Sequence, residues 1–407
     1  SLPKGLMDAN FLREYNYHEE LRASHLIDTN SGRIDRGICA VPYIRQSDGQ
    51  TVYVPTNLIA NLYVSNGMSA GNSGYEARVQ AISEIFERAI KNKIIKEEIS
   101  LPSVPMEVLK KFPKILEGFK KLEEQGFPIL IKDASLGGRY PVMCVTLQNP
   151  KTGGVFASFG SHPNFEVALE RSLTELMQGR SFEGMNDVPC PTFNKNAITE
   201  HNNIIDHFID STGIISWKFF SENADYDFHH WNFSGTTKEE FDYLMDIFKK
   251  IEKEVYIADY NELGVNACRV LVPSFSEIYE TDDLIWDNHN KSLRFRSDIL
   301  NLHQLNNVEL NGLIEKLNES ELDDYMPVGE LIGIAFDDNS PWEKCTLGEL
   351  KGLIQLALKN YEEAKNFSDM LIEFSDILPE RKKFYQVLSN VLDITIREDL
   401  ELSHYIP

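Results

Sequence analysis

Apolar positions recur along this chain with two different periods, and the pattern changes near residue 300. Before that point, short runs rich in β-branched and aromatic residues alternate with longer amphipathic stretches. Residues 51–64 (TVYVPTNLIANLYV) read as extended chain, and 127–133 (FPILIKD) and 140–148 (YPVMCVTLQ) as strands flanking a Gly137-Gly138 turn. A helix over 237–252 precedes a strand over 254–260 (EVYIADY), and 263–273 reads as a turn followed by a buried strand. Residues 104–124 read as one amphipathic helix closed by Gly126, while 1–36 are polar and mixed with a turn at Asn30-Ser-Gly32. This alternation predicts an α/β or α+β core.

Past residue 300 only the helical period remains. Residues 347–358 and 361–374 form a helical hairpin around Lys359-Asn360, and Pro379 opens another helix to about residue 396. The segment 356–364 resembles the turn of a tetratricopeptide repeat. The expected division is therefore 1–305 as core and 306–407 as a tetratricopeptide-like helical region. One hairpin cannot bury both faces, so it docks on the core or on another chain, and a binding role and a structural cap stay equally open.

The chemistry concentrates at Ser65-Asn-Gly-Met-Ser-Ala-Gly-Asn-Ser-Gly74, which runs into a helix. Glycines there let backbone N–H groups point at a ligand, and the helix N-terminus favours an anion. At 100° per residue, Glu76, Gln80, Ser83, Glu84 and Glu87 share one stripe, opposite Val79, Ile82, Ile85, Phe86 and Ala89. Carboxylates beside a phosphate cradle make sense with a hard cation between them, which points to a Mg-nucleotide site. A solvated acidic face gives the same pattern.

The stripe has an internal echo. Ala77-x-x-Gln80-Ala-Ile-Ser-Glu84-Ile-Phe-Glu87 aligns without gaps on Ala168-x-x-Arg171-Ser-Leu-Thr-Glu175-Leu-Met-Gln178. Each copy follows an apparent strand (61–64 and 154–159) and a Gly-containing turn, as a duplicated strand–turn–helix unit would. Arg171 could hold a phosphate oxygen and Glu175 supply a metal oxygen, or the two form a plain i, i+4 ion pair.

Composition narrows the partners. A net charge of −23 disfavours direct nucleic-acid binding and suits a basic protein partner, although many acidic proteins have none. No apolar run approaches the ~20 residues of a membrane span, and a cytoplasmic globular protein is expected. Cys39, Cys144, Cys190, Cys268 and Cys345 lack CxxC spacing, which argues against zinc and disulfide frameworks. His229 and His230 have no partner at metal-ligand spacing. Gly67-Met-Ser69-Ala-Gly71 matches a hydrolase elbow, but the helix of such an elbow begins directly at the serine, and here Gly71-Asn-Ser-Gly74 intervenes.

Ser65-Asn-Gly-x-Ser-x-Gly71, Glu84-x-x-Glu87-Arg88 and Arg171-x-x-x-Glu175-x-x-Gln178 together resemble the YcaO family. The likeness to its enterobacterial members extends through 35–55, 156–165, 232–241 and 254–270, over nearly all 407 residues. It implies ATP and Mg²⁺ as cofactors, with Glu76, Glu84, Glu87 and Glu175 as metal–phosphate ligands. It places Ser69, Asn72 and Arg171 among the nucleotide contacts. Family members that modify peptides use ATP to activate a backbone amide. The enterobacterial branch implies an accessory role in β-methylthiolation of a small-subunit ribosomal protein, with that protein and its methylthiotransferase as partners. A homodimer stays open.

Three departures qualify the likeness. The chain opens Ser1-Leu-Pro without an initiator Met, as an internal fragment would, and a family region supplying further acids and a lysine is expected upstream. It ends Ile406-Pro407 without a Pro-x-Pro-x-Pro run, so azoline cyclodehydration is not expected. Ala89 stands where many relatives carry Asp. The leading expectation is an ATP-utilising modification protein, followed by a non-enzymatic interaction scaffold and then a serine hydrolase. No residue is assigned as a general base.

Overall fold

The computed structural model describes residues 2–16, 19, 21–28, 36–176, 183–261, 264–280, 293–320, 322–332, 334, 336, 340–374 and 379–397. The chain separates into two compact units, one of residues 1–28 and 36–286, the other of 29–35 and 287–407.

The first unit is mixed α/β. Its larger sheet holds β1 (Ala40–Arg45), β2 (Thr51–Pro55), β3 (Met68–Gly71), β7 (Tyr256–Tyr260) and β8 (Asn266–Leu271) in the order β2-β1-β7-β8-β3. A smaller sheet holds β4 (Ile129–Asp133), β5 (Val142–Gln148) and β6 (Val155–Ser161) in the order β4-β5-β6. All these pairings are antiparallel.

A 24-residue helix, α3 (Gly74–Glu97), runs between the sheets. Its Ile82, Ile85, Phe86 and Ile90 pack with Ile257 and Val270 of the larger sheet and with Cys144 and Phe159 of the smaller one. Phe86 stacks on Phe248 of α9 (Thr237–Lys250) at 4.5 Å between ring centroids. The far face of the larger sheet is covered by α1 (Ala9–Tyr15), through Phe11 and Tyr15 against Tyr43 and Tyr256. The far face of the smaller sheet is covered by α5 (Pro113–Glu124) and α6 (Phe165–Glu175). Covered on both sides, β6 is buried at every position.

Two expectations need correction. Residues 56–64 are not extended: α2 (Thr56–Leu58) leads into a π turn over Ile59–Tyr63. Leu58, Ile59, Leu62 and Tyr63 are all buried, and Asn61 donates to Asn57 at 2.7 Å, so the helical spacing overrides the β-branched composition. The strand preceding α3 is therefore β3, not 61–64. Residues 104–124 form two helices, α4 (Met106–Leu109) and α5, because Pro113 has no N–H and holds Phe112 out of the helical region at φ −119°, ψ 66°. Pro113 then serves as the first helical residue of α5. The Asn30–Gly32 turn lies outside the described residues, as do Leu263 and Gln178. Short helices α7 (Lys195–Thr199) and α8 (His201–Ile209) complete this unit.

The second unit is helical among its described residues: α10 (Leu293–Leu300), α11 (Asn307–Glu319), α12 (Val328–Ile332), α13 (Leu347–Ala357), α14 (Tyr361–Phe374) and α15 (Pro379–Ile396). Leu313, Leu317, Val328, Ile332, Leu347 and Leu350 form its core. Helices α13, α14 and α15 pack in series, with Lys359 at φ 65° turning the chain between the first two.

Candidate functional site

The sequence builds the start of α3 with care. Ser73 caps it, its hydroxyl accepting from Glu76 N at 3.1 Å. Glu76 reaches back, accepting from Asn72 N at 3.0 Å and from Asn72 Nδ2 at 3.2 Å. Gly71 is required behind them, since a Cβ there would stand 2.8 Å from Ala77 N. Ser69 lies inside β3, opposite Cys268, with its hydroxyl turned to the Ala70 carbonyl at 3.4 Å. A strand-to-helix elbow around Ser69, which a hydrolase nucleophile would need, is not formed.

Two turns further along α3, the stripe enters a cleft. Packing on opposite faces of the smaller sheet, α3 and α6 bring their polar side chains together around its edge strand β6. Glu84 pairs with Arg88 at 2.8 Å and also feels Arg171 and Glu175. Glu87 feels Lys91, Glu175, Arg88 and Glu84. Arg171 in turn responds to Glu87, Glu175 and Glu84, and donates to Ser161 O at 3.3 Å. The second helix starts on a similar cap, with Asn164 Oδ1 accepting from Val167 N at 3.3 Å.

Burial sets the electrostatics. Desolvation pushes the Glu87 carboxyl up to about 7, partly opposed by Lys91, and it raises Glu84 as well. Desolvation lowers Lys91 and Arg171 from their ordinary values. His162, beside Arg171, is pushed down to about 4. These carboxylates do not sit on a solvated face.

A cavity of about 620 Å³ opens here, lined among others by Glu87, Arg88, Lys91, Ser158, Glu175 and His207. Several buried polar atoms at this edge lack a hydrogen-bond partner: Arg88 Nη1, Ser158 Oγ, Ser161 Oγ and His207 Nδ1. Buried groups of this kind normally find partners, and an anionic oxygen would satisfy the donors among them. Among the described residues, no three His, Cys, Asp or Glu side chains are arranged to hold a metal by themselves. A cation here would need oxygens from a ligand too, which is how Mg²⁺ commonly binds with phosphates. Carboxylates burdened by desolvation together with unpartnered donors suit a Mg-nucleotide.

The structure thus brings Glu84, Glu87, Arg171 and Glu175 within electrostatic reach of one another, with Glu87 and Glu175 lining the cavity. Ser69, Asn72 and Glu76 stand apart from them, Glu76 being about 12 Å from Glu84 along the helix axis. The residue pattern assigned no ligand role to Arg88, which it held only as part of the Glu84-x-x-Glu87-Arg88 motif, and left out Lys91, His207 and Phe208. Arg88 and Lys91 were accessible as i+4 neighbours of Glu84 and Glu87, whereas nothing local marked 207–208. His229 and His230 are exposed around buried Trp231. All five cysteines are free, with Cys144, Cys268 and Cys345 buried.

A family model described as YcaO cyclodehydratase, ATP- and Mg²⁺-binding, matches residues 1–276. A second, described as YcaO cyclodehydratase C-terminal domain, matches residues 292–407. The chain is 48% identical over 409 residues to the ribosomal protein S12 methylthiotransferase accessory factor YcaO of Escherichia coli, covering 100% of this chain and 70% of that protein. It is 47% identical over 408 residues to an uncharacterized protein of Haemophilus influenzae, at 99% and 70% coverage. Among solved structures, YcaO from Methanopyrus kandleri bound with AMPPCP and Mg²⁺ is similar at a TM-score of 0.38 and 19% identity, over 61% of this chain and 66% of that one.

Proposed function

Because this chain belongs to the YcaO family, we propose that it binds Mg-ATP around the edge of β6 and assists post-translational modification. The observation that carries the reading is the meeting of Glu84, Glu87, Arg171 and Glu175, from two helices whose aligned motifs lie 91 positions apart, with Glu84, Glu87 and Arg171 desolvated by burial. Glu84, Glu87 and Glu175 would hold the metal together with phosphate oxygens, while Glu76, two turns earlier on α3, is too distant to share that ion and would serve the nucleotide from the helix start. Arg171 and Arg88 hold phosphate oxygens, and Ser69 and Asn72 serve the nucleotide from the β3 side. Bound Mg-ATP supplies a transferable phosphoryl group whose charge the metal offsets. The protein's own part is positioning and charge stabilisation, and its arginines offset the repulsion that a net charge of −23 imposes on ATP.

The biological role we assign is accessory to β-methylthiolation of the small-subunit ribosomal protein S12, by likeness to the Escherichia coli factor. A basic ribosomal protein would be steered toward this acidic chain. A second reading, an interaction scaffold built on the helical region, draws on Phe384, Val387 and Val391, which are exposed along α15 beyond the hairpin.

Calorimetric titration of ATP with and without Mg²⁺, on the wild type and on Glu84→Gln, tests the leading reading. Metal-dependent binding lost in the variant supports it. Binding that ignores both metal and mutation overturns it. If Glu84→Gln still supports full modification of the ribosomal protein, ATP chemistry has no part in the role and the scaffold reading takes its place.

A further inference from the structure

Lys91 follows Glu87 by one turn of α3 and is only 7% exposed. Its ammonium donates to His207 O at 2.5 Å and to Ser211 Oγ at 2.7 Å. Both acceptors lie at the C-terminal end of α8, where the last helical carbonyls have no partner within the helix and a cation is favoured. A buried ammonium is costly unless hydrogen-bonded, so the pair of bonds ties α8 firmly to α3.

The same helix end is fixed from its other side. His207 Nε2 bonds to Ile214 O at 3.1 Å, and Asn203 Nδ2 donates to Ile198 O and Ile214 O at 2.9 and 3.0 Å. A Cβ on Gly213 would stand 2.3 Å from the His207 ring, so the loop closes tightly on it.

What this clamp sets in place is Phe208. The Arg88 guanidinium carbon lies 4.5 Å from the centre of its ring. Arg88 Nη2 is engaged by Glu84 at 2.8 Å, and Arg88 Nη1 is buried with no partner. Lys91, α8, Phe208 and Arg88 therefore form a continuous path that ends on an unused donor.

We propose that Lys91 is a positioning residue for phosphate binding: it pins α8 so that Phe208 holds Arg88 with Nη1 available to a nucleotide phosphate oxygen. This rests on the ATP reading above. Two of the three ammonium hydrogens are already taken by protein oxygens, so Lys91 acts through Arg88 and not as the main phosphate ligand.

The test is a mutant cycle on the full chain, titrating Mg-ATP calorimetrically into the wild type, Lys91→Met, Arg88→Gln and the double variant. Thermal unfolding verifies that each is folded. Lys91→Met is expected to weaken binding about tenfold, yet less than about twofold in the Arg88→Gln background. Phe208→Leu is expected to reproduce the Lys91→Met loss without changing charge, and it keeps the idea testable if Lys91→Met fails to fold. Equal losses in both backgrounds, or wild-type affinity in Phe208→Leu, overturn the proposal while leaving the ATP reading intact. A folded wild type that binds no Mg-ATP overturns both.

Discussion

A Cβ on Gly67 would lie 2.2 Å from the carbonyl oxygen of Val270, the residue whose amide donates to Gly67 O at 2.8 Å. The loop entering β3 is thus pressed directly onto β8, at φ +75°, where L side chains are strained. Gly67→Ala should destabilise the protein by about 3 kcal/mol through clash and backbone strain together. Denaturant unfolding measures this, and an unchanged midpoint would contradict the contact.

Arg171 is half-buried, with one N–H bonded to Ser161 O and the acids of both helices around it. Arg171→Lys keeps the charge but loses the planar fork. Mg-ATP affinity should fall about tenfold with folding intact, as read by calorimetry. Equal affinity would remove Arg171 from the phosphate contacts.

His162 and His207 are held neutral by burial, pushed down to about 4 and about 3. His162 Nδ1 accepts from Asn164 N at 3.0 Å, a bond that protonation there would break. In the unfolded chain both rings titrate near 6.5. Each therefore contributes stability that is present above that pH and is lost as pH falls toward the folded value, about 1.4 kcal/mol per pH unit for each proton. Glu87, raised to about 7, acts in the opposite direction, so the informative quantity is a difference between variants. His207→Gln should flatten the acid-side loss between pH 6.5 and 5 by about one proton relative to the wild type. Parallel stability curves would mean that His207 is not held neutral.

In the helical unit, Glu349 is 6% exposed and accepts hydrogen bonds from Arg381 and from the Tyr385 hydroxyl. Glu349→Ala leaves a guanidinium and a phenol without their acceptor. A loss of about 3 kcal/mol is expected, with faster hydrogen exchange across Leu347–Ala357. Unaltered exchange there would show that the network does not hold α13.

Much of this molecule was legible in local pattern. The α3 stripe, the strands around Gly137-Gly138 and the C-terminal hairpin all follow from short-range periodicity, and the structure reproduces them within a few residues. The break at Pro113 was legible too, since proline's missing N–H is a property of the residue alone, but the amphipathic period across 104–124 hid it. Residues 56–63 misled for another reason. Their β-branched composition favoured a strand, while burial of Leu58, Leu62 and Tyr63 on one side favoured a helical turn.

By itself the sequence determined which residues share a helix face, because that follows from a fixed rotation per residue. It also placed the acids beside a capped helix start, and its motifs carried the family. Whether the acids faced water or a cleft depended on what covered them, and only the tertiary structure decided that. The smaller sheet, α6 and the end of α8 come from distant parts of the chain, and they remove water from Glu84, Glu87 and Arg171. Desolvation is a property of that assembled surrounding, and no periodicity along α3 encodes it.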